Sequence, residues 1–283
     1  MDLSQLRALA ATVDEGSFEA AAAALHLTPS AVSQRIKALE NSAGRVLVQR
    51  AKPTAVTEAG EPYLRLARQV TALVAETERE SAAVVSIPLA VGADALATWF
   101  LNVLPQLPDD VTVDLRREDP DHTADLLRSG AVMAAITTDA RPVQGCTVTR
   151  LGVMRYRVVA SRDFAARWFA DGPTPAALDA APVVVFDRKD DLQDRYLRSR
   201  GIDRSVAPRH HIPGSVEFAE AVRLGLGWGM LPDQQTLGLP DYVELDPAAA
   251  HDVELFWQQW SLRTPALDAI AALVRDAATR ALS

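Results

Sequence analysis

The sequence predicts two structural classes in one chain: an all-α N-terminal unit with a short β wing, and behind it a larger α/β unit. Three observations carry this. Apolar residues recur at helical spacing over roughly the first 80 positions. From Ser86 onward short apolar strands alternate with helical stretches. The 283 residues exceed one typical domain, and 48% hydrophobic content supplies core material for more than one.

Leu3, Leu6, Leu9 and Val13 form the stripe of a first helix that stops at Gly16. Ser17 is placed to cap a second helix holding Phe18, Ala21, Ala22 and Leu25, and Thr28 a third that opens with Pro29. In LTPSAVSQRIKALE, Ser30, Ser33, Gln34 and Lys37 share one helical face, while Val32, Ile36 and Leu39 share the opposite one. Two helices joined by the tight LHLTP connection make a helix-turn-helix, and the alanines at 21–24 let the second helix approach the third. SAGRVLVQR then ends the third helix at Gly44 and runs into a short strand over residues 46–48. RAKPTAVT sets Arg50 and Lys52 beside a proline-stiffened loop, which completes a winged helix-turn-helix over residues 1–58.

The chain is acidic, with a formal net charge of −8, but its basic residues are concentrated where the polar helix face is. Between positions 28 and 68, Arg35, Lys37, Arg45, Arg50, Lys52, Arg65 and Arg68 stand against Glu40, Glu58 and Glu61 alone. A local basic footprint with a recognition helix and a wing points to double-stranded DNA. The candidate contacts are Ser17, Thr28, Pro29, Ser30, Ser33, Gln34, Arg35, Lys37, Arg50, Lys52 and Thr54. The hydroxyl and amide groups suit base edges and phosphates, and the cations supply charge.

SFEAAAAALHLTPSAVSQRIKALENSAGRVLVQR, followed by TEAG at 57–60, resembles the N-terminal domain of LysR-type transcriptional regulators. The resemblance implies a long linker helix that pairs two subunits, expected over residues 59–86. Thr57 is a good cap for it, and through about Val85 only Pro62 is disfavoured, in the first turns. Leu66, Val70, Leu73, Val74 and Thr77 offer a seam. Such a helix of roughly 28 residues spans about 42 Å, enough to set two recognition helices about 34 Å apart on an imperfect inverted repeat.

In the C-terminal unit, residues 87–283, the segments IPLAVG, VTVDLR, MAAITT, YRVVAS, PVVVFD, WGMLP and VELFWQQW read as strands of largely parallel sheets. The resemblance implies an effector domain like the periplasmic binding proteins, with subdomain I at 87–160 and 263–283 and subdomain II at 161–262. Ligands of such sheets sit beyond the carboxyl ends of strands. There the sequence has Asp94, Ala95 and Trp99, then Glu118 and Asp119, Thr137 and Thr138, Asp187, and Ser215 with Glu217. Acidic residues in first turns also stabilise helices by about 0.3–1 kcal/mol without binding anything. Converging carboxylates favour a cation, and free N–H groups at a helix start favour an anion. A basic amino acid carries both charges.

AVGADALATWF, the REDPD after the second strand and PVVVFDRKDDLQDRYL narrow the resemblance to the LysR-type branch that senses lysine and arginine and controls basic amino acid export. It implies lysine, arginine or histidine as effector, an exporter gene as target, RNA polymerase as partner, and homodimers pairing into homotetramers. IPGSVEF departs from the branch by placing proline and glycine before Glu217, which weakens Ser215 as a contact. A LysR-type regulator sensing an unrelated metabolite is the alternative.

Catalysis by the strand-end carboxylates is a third reading, but there is no Gly-x-Ser-x-Gly elbow and no strand-end histidine. Cys146 is the single cysteine, and His210 and His211 point to opposite faces of a strand, so neither a disulfide nor a metal site is expected. LGLGWGMLP leaves a helix and enters a strand, the reverse of a dinucleotide fingerprint, and no cofactor is expected. Trp257 and Trp260 fall on opposite faces of a strand, so one is expected in the core and the other elsewhere. With no apolar run of membrane-spanning length and no leader-like N-terminus, a cytoplasmic location is expected.

Overall fold

The structure is a computed structural model and describes residues 1–77, 84–117, 120–203, 206–236 and 238–283. Three capped helices open the chain. Helix α1 (Leu3–Asp14) starts at Asp2, whose carboxylate accepts from the Gln5 amide while the Gln5 side chain returns to the Asp2 N–H. Helix α2 (Phe18–Ala24) is capped by Ser17 and α3 (Pro29–Ala43) by Thr28 with Pro29 in its first turn. Gly44, at φ 68°, ends α3 in the left-handed conformation. Leu9, Ala21, Val32, Ile36, Leu39 and Leu47 form the buried centre. The wing is the antiparallel pair β1 (Val48–Gln49) and β2 (Ala55–Val56), in register Val48 with Val56.

Helix α4 (Glu61–Thr77) follows a turn in which the Thr57 hydroxyl accepts from the Gly60 amide. Thr57 therefore caps the turn ahead of the helix, and Glu61 begins the helix itself. Residues 78–83 lie outside the described residues and Val85 already belongs to a strand, so an end of the linker helix near Val85 is not what the structure has. Arg68 pairs with Asp14 of α1 and also donates to the Ser129 carbonyl at 3.0 Å.

Next come β3 (Val85–Val91), α5 (Ala93–Thr98), a 3-10 turn over Phe100–Gln106, β4 (Val111–Arg117), α6 (Pro120–Ser129), β5 (Ala134–Thr137) and β6 (Cys146–Ser161). They are followed by α7 (Arg162–Trp168), α8 (Pro175–Ala180), β7 (Val183–Val185), α9 (Leu192–Ser199), β8 (Arg209–His211) and α10 (Ser215–Arg223). The chain closes with β9 (Gly229–Pro232), α11 (Asp233–Thr236), β10 (Tyr242–Glu244), β11 (His251–Trp260) and α12 (Pro265–Ala281). Two compact units result: Met1–Val91 with Leu107–Thr149 and Trp257–Ala271, and Gly92–Gln106 with Arg150–Phe256 and Ala272–Ser283. The divisions fall inside β6, between Thr149 and Arg150, and inside β11, between Phe256 and Trp257.

In the first unit β3 is the central strand, parallel to β4 and to β5 (Leu89 beside Leu115 and Ala134). The last residues of β11 flank β5, with the Trp260 amide donating to the Met133 carbonyl at 3.0 Å. Trp257 and Trp260 are both buried, at 1% exposure each, which corrects the expectation that one would leave the core. The end of this strand is covered on both faces, so the alternation that separates exposed from buried positions does not apply to it.

In the second unit β6 carries β9 and β10, both antiparallel, with Tyr156 opposite Pro232 and Ser161 opposite Tyr242. β7 and β8 are parallel there, in register Val183 with Arg209, and Val183 makes a further parallel bridge to Trp228. The largely parallel expectation thus holds for β3, β4 and β5 and fails around β6, a 16-residue strand of which YRVVAS is only the end. Its charged residues conceal it: Arg150 pairs with Glu254, Arg155 with Asp252, and Arg157 with both Asp233 and Glu244. After α10, Gly225 at φ 79° reverses the chain, and a Cβ at Gly227 would stand 2.7 Å from the Pro182 carbonyl oxygen. LGLGWG is a close-packed helix-to-strand turn, as its order in the sequence indicates.

Candidate DNA interface and effector site

The third helix is built as its sequence pattern requires. Val32, Ile36 and Leu39 are buried at 0–1% exposure, which leaves Ser30, Gln34 and Lys37 exposed and Ser33 and Arg35 half-buried. His26, at φ 54°, makes the left-handed turn between α2 and α3, a conformation histidine tolerates better than branched residues. The Ser17 and Thr28 hydroxyls are engaged as caps, accepting from the Ala20 amide at 3.0 Å and the Ala31 amide at 3.2 Å. Both helix starts present further N–H groups of the kind that receive phosphates. On the wing, Lys52 is exposed, while the exposed Arg50 lays its guanidinium 5.1 Å from the centre of the Phe18 ring.

Thr54 is a correction. It is 6% exposed, its amide donates to the Gly16 carbonyl at 2.7 Å, and its hydroxyl faces the Ala51 carbonyl. It ties the wing to the turn between α1 and α2 and offers no surface to DNA.

The second unit brings together a smaller set than the sequence proposes. Asp94, half-buried in the first turn of α5, accepts a hydrogen bond at 2.5 Å from the hydroxyl of Tyr156 on β6. The segment after β7 supplies a second carboxylate, Asp190, whose oxygens accept from the amides of Phe186 at 3.1 Å and Leu192 at 3.0 Å. Burial pushes the Asp190 carboxyl above its ordinary range; the two amides oppose this, and the nearby Asp94 and Asp187 charges add to it. Tyr156 is driven well above its ordinary range by burial, by Asp94 and, more weakly, by Asp190. Asp94, Tyr156 and Asp190 thus form one electrostatic group.

The other expected contacts fare differently. Asp187 accepts from the Lys189 amide at 2.7 Å and the Asp190 amide at 2.9 Å, so its carboxylate shapes the loop that presents Asp190. Ala95 and Trp99 are 4% and 2% exposed, on the inward face of α5 and its end, and pack in the interior instead of offering a surface. Ser215 is 6% exposed and its hydroxyl accepts from Gln235 at 3.1 Å. Glu217 is exposed and folds its carboxylate back over Gly214 at the start of α10, where it serves the helix terminus. In the first unit, Thr137 is 3% exposed and its hydroxyl accepts from the Asp139 amide at 3.1 Å, whereas Thr138 is exposed. Glu118 and Asp119 lie outside the described residues.

Among the described residues no three His, Cys, Asp or Glu side chains are grouped to hold a metal. Burial raises the Cys146 thiol above its ordinary range, against the nearby Arg65 charge, so it is not an activated nucleophile. No helix among the described residues is long and apolar enough to cross a membrane.

Residues 3–61 match the bacterial regulatory helix-turn-helix proteins of the lysR family, and residues 85–279 match the LysR substrate-binding domain. The chain belongs to the LysR family of transcriptional regulators. This LysR-type regulator is 46% identical over 292 residues to the lysine export transcriptional regulatory protein LysG of Corynebacterium efficiens, covering 100% of this chain and 99% of that one. Its fold matches the crystal structure of ArgP from Mycobacterium tuberculosis with a TM-score of 0.92 at 46% identity, over 100% of this chain and 99% of that one. It also matches full-length LysG from Corynebacterium glutamicum with bound effector arginine, with a TM-score of 0.83 at 40% identity and the same coverage. The winged helix-turn-helix followed by an α/β domain is therefore the family's two-domain architecture, and the regulator's activity is transcriptional control through DNA rather than catalysis.

Proposed function

We propose that this regulator senses a basic amino acid, lysine, arginine or histidine, and controls transcription of an exporter gene for such amino acids together with RNA polymerase. The observation that carries the reading is the group of Asp94, Tyr156 and Asp190. Burial raises the Asp190 carboxyl and the Asp94 charge adds to this, so a cation beside them relieves the repulsion. The reading gains support from the relative named for lysine export and from the relative with arginine bound.

On the DNA side, two subunits join along α4 through Leu66, Val70 and Val74, which are half-buried, and Leu73, which is 40% exposed. The homodimer reads an imperfect inverted repeat, and dimers pair into tetramers. Ser30, Ser33, Gln34 and Lys37 face the major groove and Lys52 the flanking backbone. Gln34→Ala is expected to relax sequence choice at one position, at about 1–3 kcal/mol for the lost base contact. Lys52→Ala should weaken binding to all sequences alike and lower the salt slope by about one. Fluorescence anisotropy against operator variants and salt checks both; a changed sequence preference with an unchanged salt slope for Lys52→Ala would remove the wing from the backbone. Arg50 is a poorer probe, because its guanidinium also packs on Phe18.

The effector reading is tested by thermal unfolding of the full chain against the twenty amino acids. A ligand at about 100 times its dissociation constant adds roughly 2.7 kcal/mol, which is several degrees for a protein of this size. A shift with lysine, arginine or histidine alone is the expected result. A flat panel, or a shift with apolar or acidic amino acids, defeats the reading.

A further inference from the structure

Resting on that reading of the effector group, we propose that Tyr156 sets the preference between lysine and arginine by donating to one oxygen of Asp94, so that the ligand's cation has to share that oxygen with the phenol. Tyr156 is 8% exposed, with its hydroxyl between Asp94 Oδ2 at 2.5 Å and Met154 Sδ at 3.3 Å. A phenol has one hydrogen to donate, and the carboxylate is much the stronger acceptor. Among the described residues Asp94 Oδ1 has no hydrogen-bond partner. Asp190 is fixed by the Phe186 and Leu192 amides, each on a different oxygen. On Asp94 the ligand's cation therefore meets one oxygen already engaged by the phenol and one without a hydrogen-bond partner among the described residues.

The end of the ligand that suits this corner is its side chain. An α-ammonium stands beside its own carboxylate, which two aspartates would repel; the side-chain cation is separated from that carboxylate by several methylenes. The ammonium of lysine is a compact point charge and loses little when one Asp94 oxygen is shared with the phenol. The guanidinium of arginine is a planar fork whose advantage comes from two parallel N–H···O bonds to both oxygens of one carboxylate. Tyr156 already draws on one of those two oxygens at Asp94 and so weakens one arm of the fork. Removing the hydroxyl restores the full acceptor strength of Oδ2, from which the two-armed guanidinium gains more than an ammonium that already places its strongest bond on Oδ1.

The test is isothermal titration of the full chain with lysine and with arginine, in the wild type, in Tyr156→Phe and in Tyr156→Met, which fills similar space without a hydroxyl. The quantity read is the ratio of the two affinities within each protein, so partial loss of folded material cancels. In both variants the arginine-to-lysine ratio is expected to rise by roughly 10-fold, the worth of one added charged hydrogen bond. Equal weakening of both ligands would mean that Tyr156 only supports the fold, and an unchanged ratio would mean that Asp94 does not receive the side-chain cation; either overturns the proposal while leaving the sensor reading in place. A wild type that binds neither amino acid overturns both.

Discussion

Asp94→Asn is expected to lose at least about 30-fold in affinity for lysine or arginine, because truncating one member of a desolvated, hydrogen-bonded charge pair costs about 2–5 kcal/mol and Asp94 is only half-buried. Asparagine keeps the shape and still accepts from Tyr156 through its carbonyl oxygen, so the loss isolates the charge. The same group makes binding pH-dependent. Asp190 must be ionised to attract a cation, and its carboxyl titrates above the ordinary 3.8. Affinity should therefore fall as the pH drops through that raised value, with a proton released on binding within the window. Stability of the ligand-free protein moves the other way. Between 3.8 and the raised value the folded chain holds this proton more tightly than the unfolded chain, so Asp190's contribution to stability is present at low pH and lost as the pH rises. Titration calorimetry in two buffers of different ionisation enthalpy reads the proton; wild-type affinity in Asp94→Asn would remove Asp94 from the site.

The pattern on α3 was fully legible because two signals agreed: Thr28 with Pro29 fixed the helix start, and the spacing of Val32, Ile36 and Leu39 fixed which face is buried. Thr54 misled because a threonine on a basic, proline-stiffened loop looks like a surface donor, and only the fold shows its amide bound to the Gly16 carbonyl. In the second unit Asp187 of the segment FDRKDD is spent on turning the loop, and Asp190 is the carboxylate to which the Asp94 charge couples. Aspartates so close in sequence are told apart by which backbone amides they cap, and that is a property of the folded loop. Tyr156 had no local signal at all. It lies 62 positions from Asp94, in a strand whose arginines mask its length. Long-range pairings of this kind are set by how β6 runs past α5, which no window of sequence contains.

Gly60→Ala should be the most damaging small substitution in the DNA-binding unit. A Cβ at Gly60 would stand 2.2 Å from the Leu47 carbonyl oxygen and 2.7 Å from Val56 Cγ2. The carbonyl is not free to withdraw, because it accepts from the Thr57 amide at 2.9 Å. Leu47 is itself fixed: its side chain is fully buried and its amide donates to Glu40 at 2.9 Å. The Thr57 hydroxyl also donates to the Val46 carbonyl at 2.8 Å, so the start of the linker segment and the strand of the wing are stitched together around this glycine. Overpacking of that kind costs about 1–3 kcal/mol and sometimes more. Here the strain falls on the register of Val48 with Val56 and on the path into α4. The expected result is a lower unfolding temperature and weakened binding to every operator sequence, with lysine and arginine still bound by the second unit. Gly44→Asn is the control: Gly44 has positive φ, which asparagine tolerates, and nothing lies within 4 Å of its missing Cβ. That variant should melt close to the wild type. If Gly60→Ala melts with it, the close approach between Gly60 and Leu47 does not position the wing.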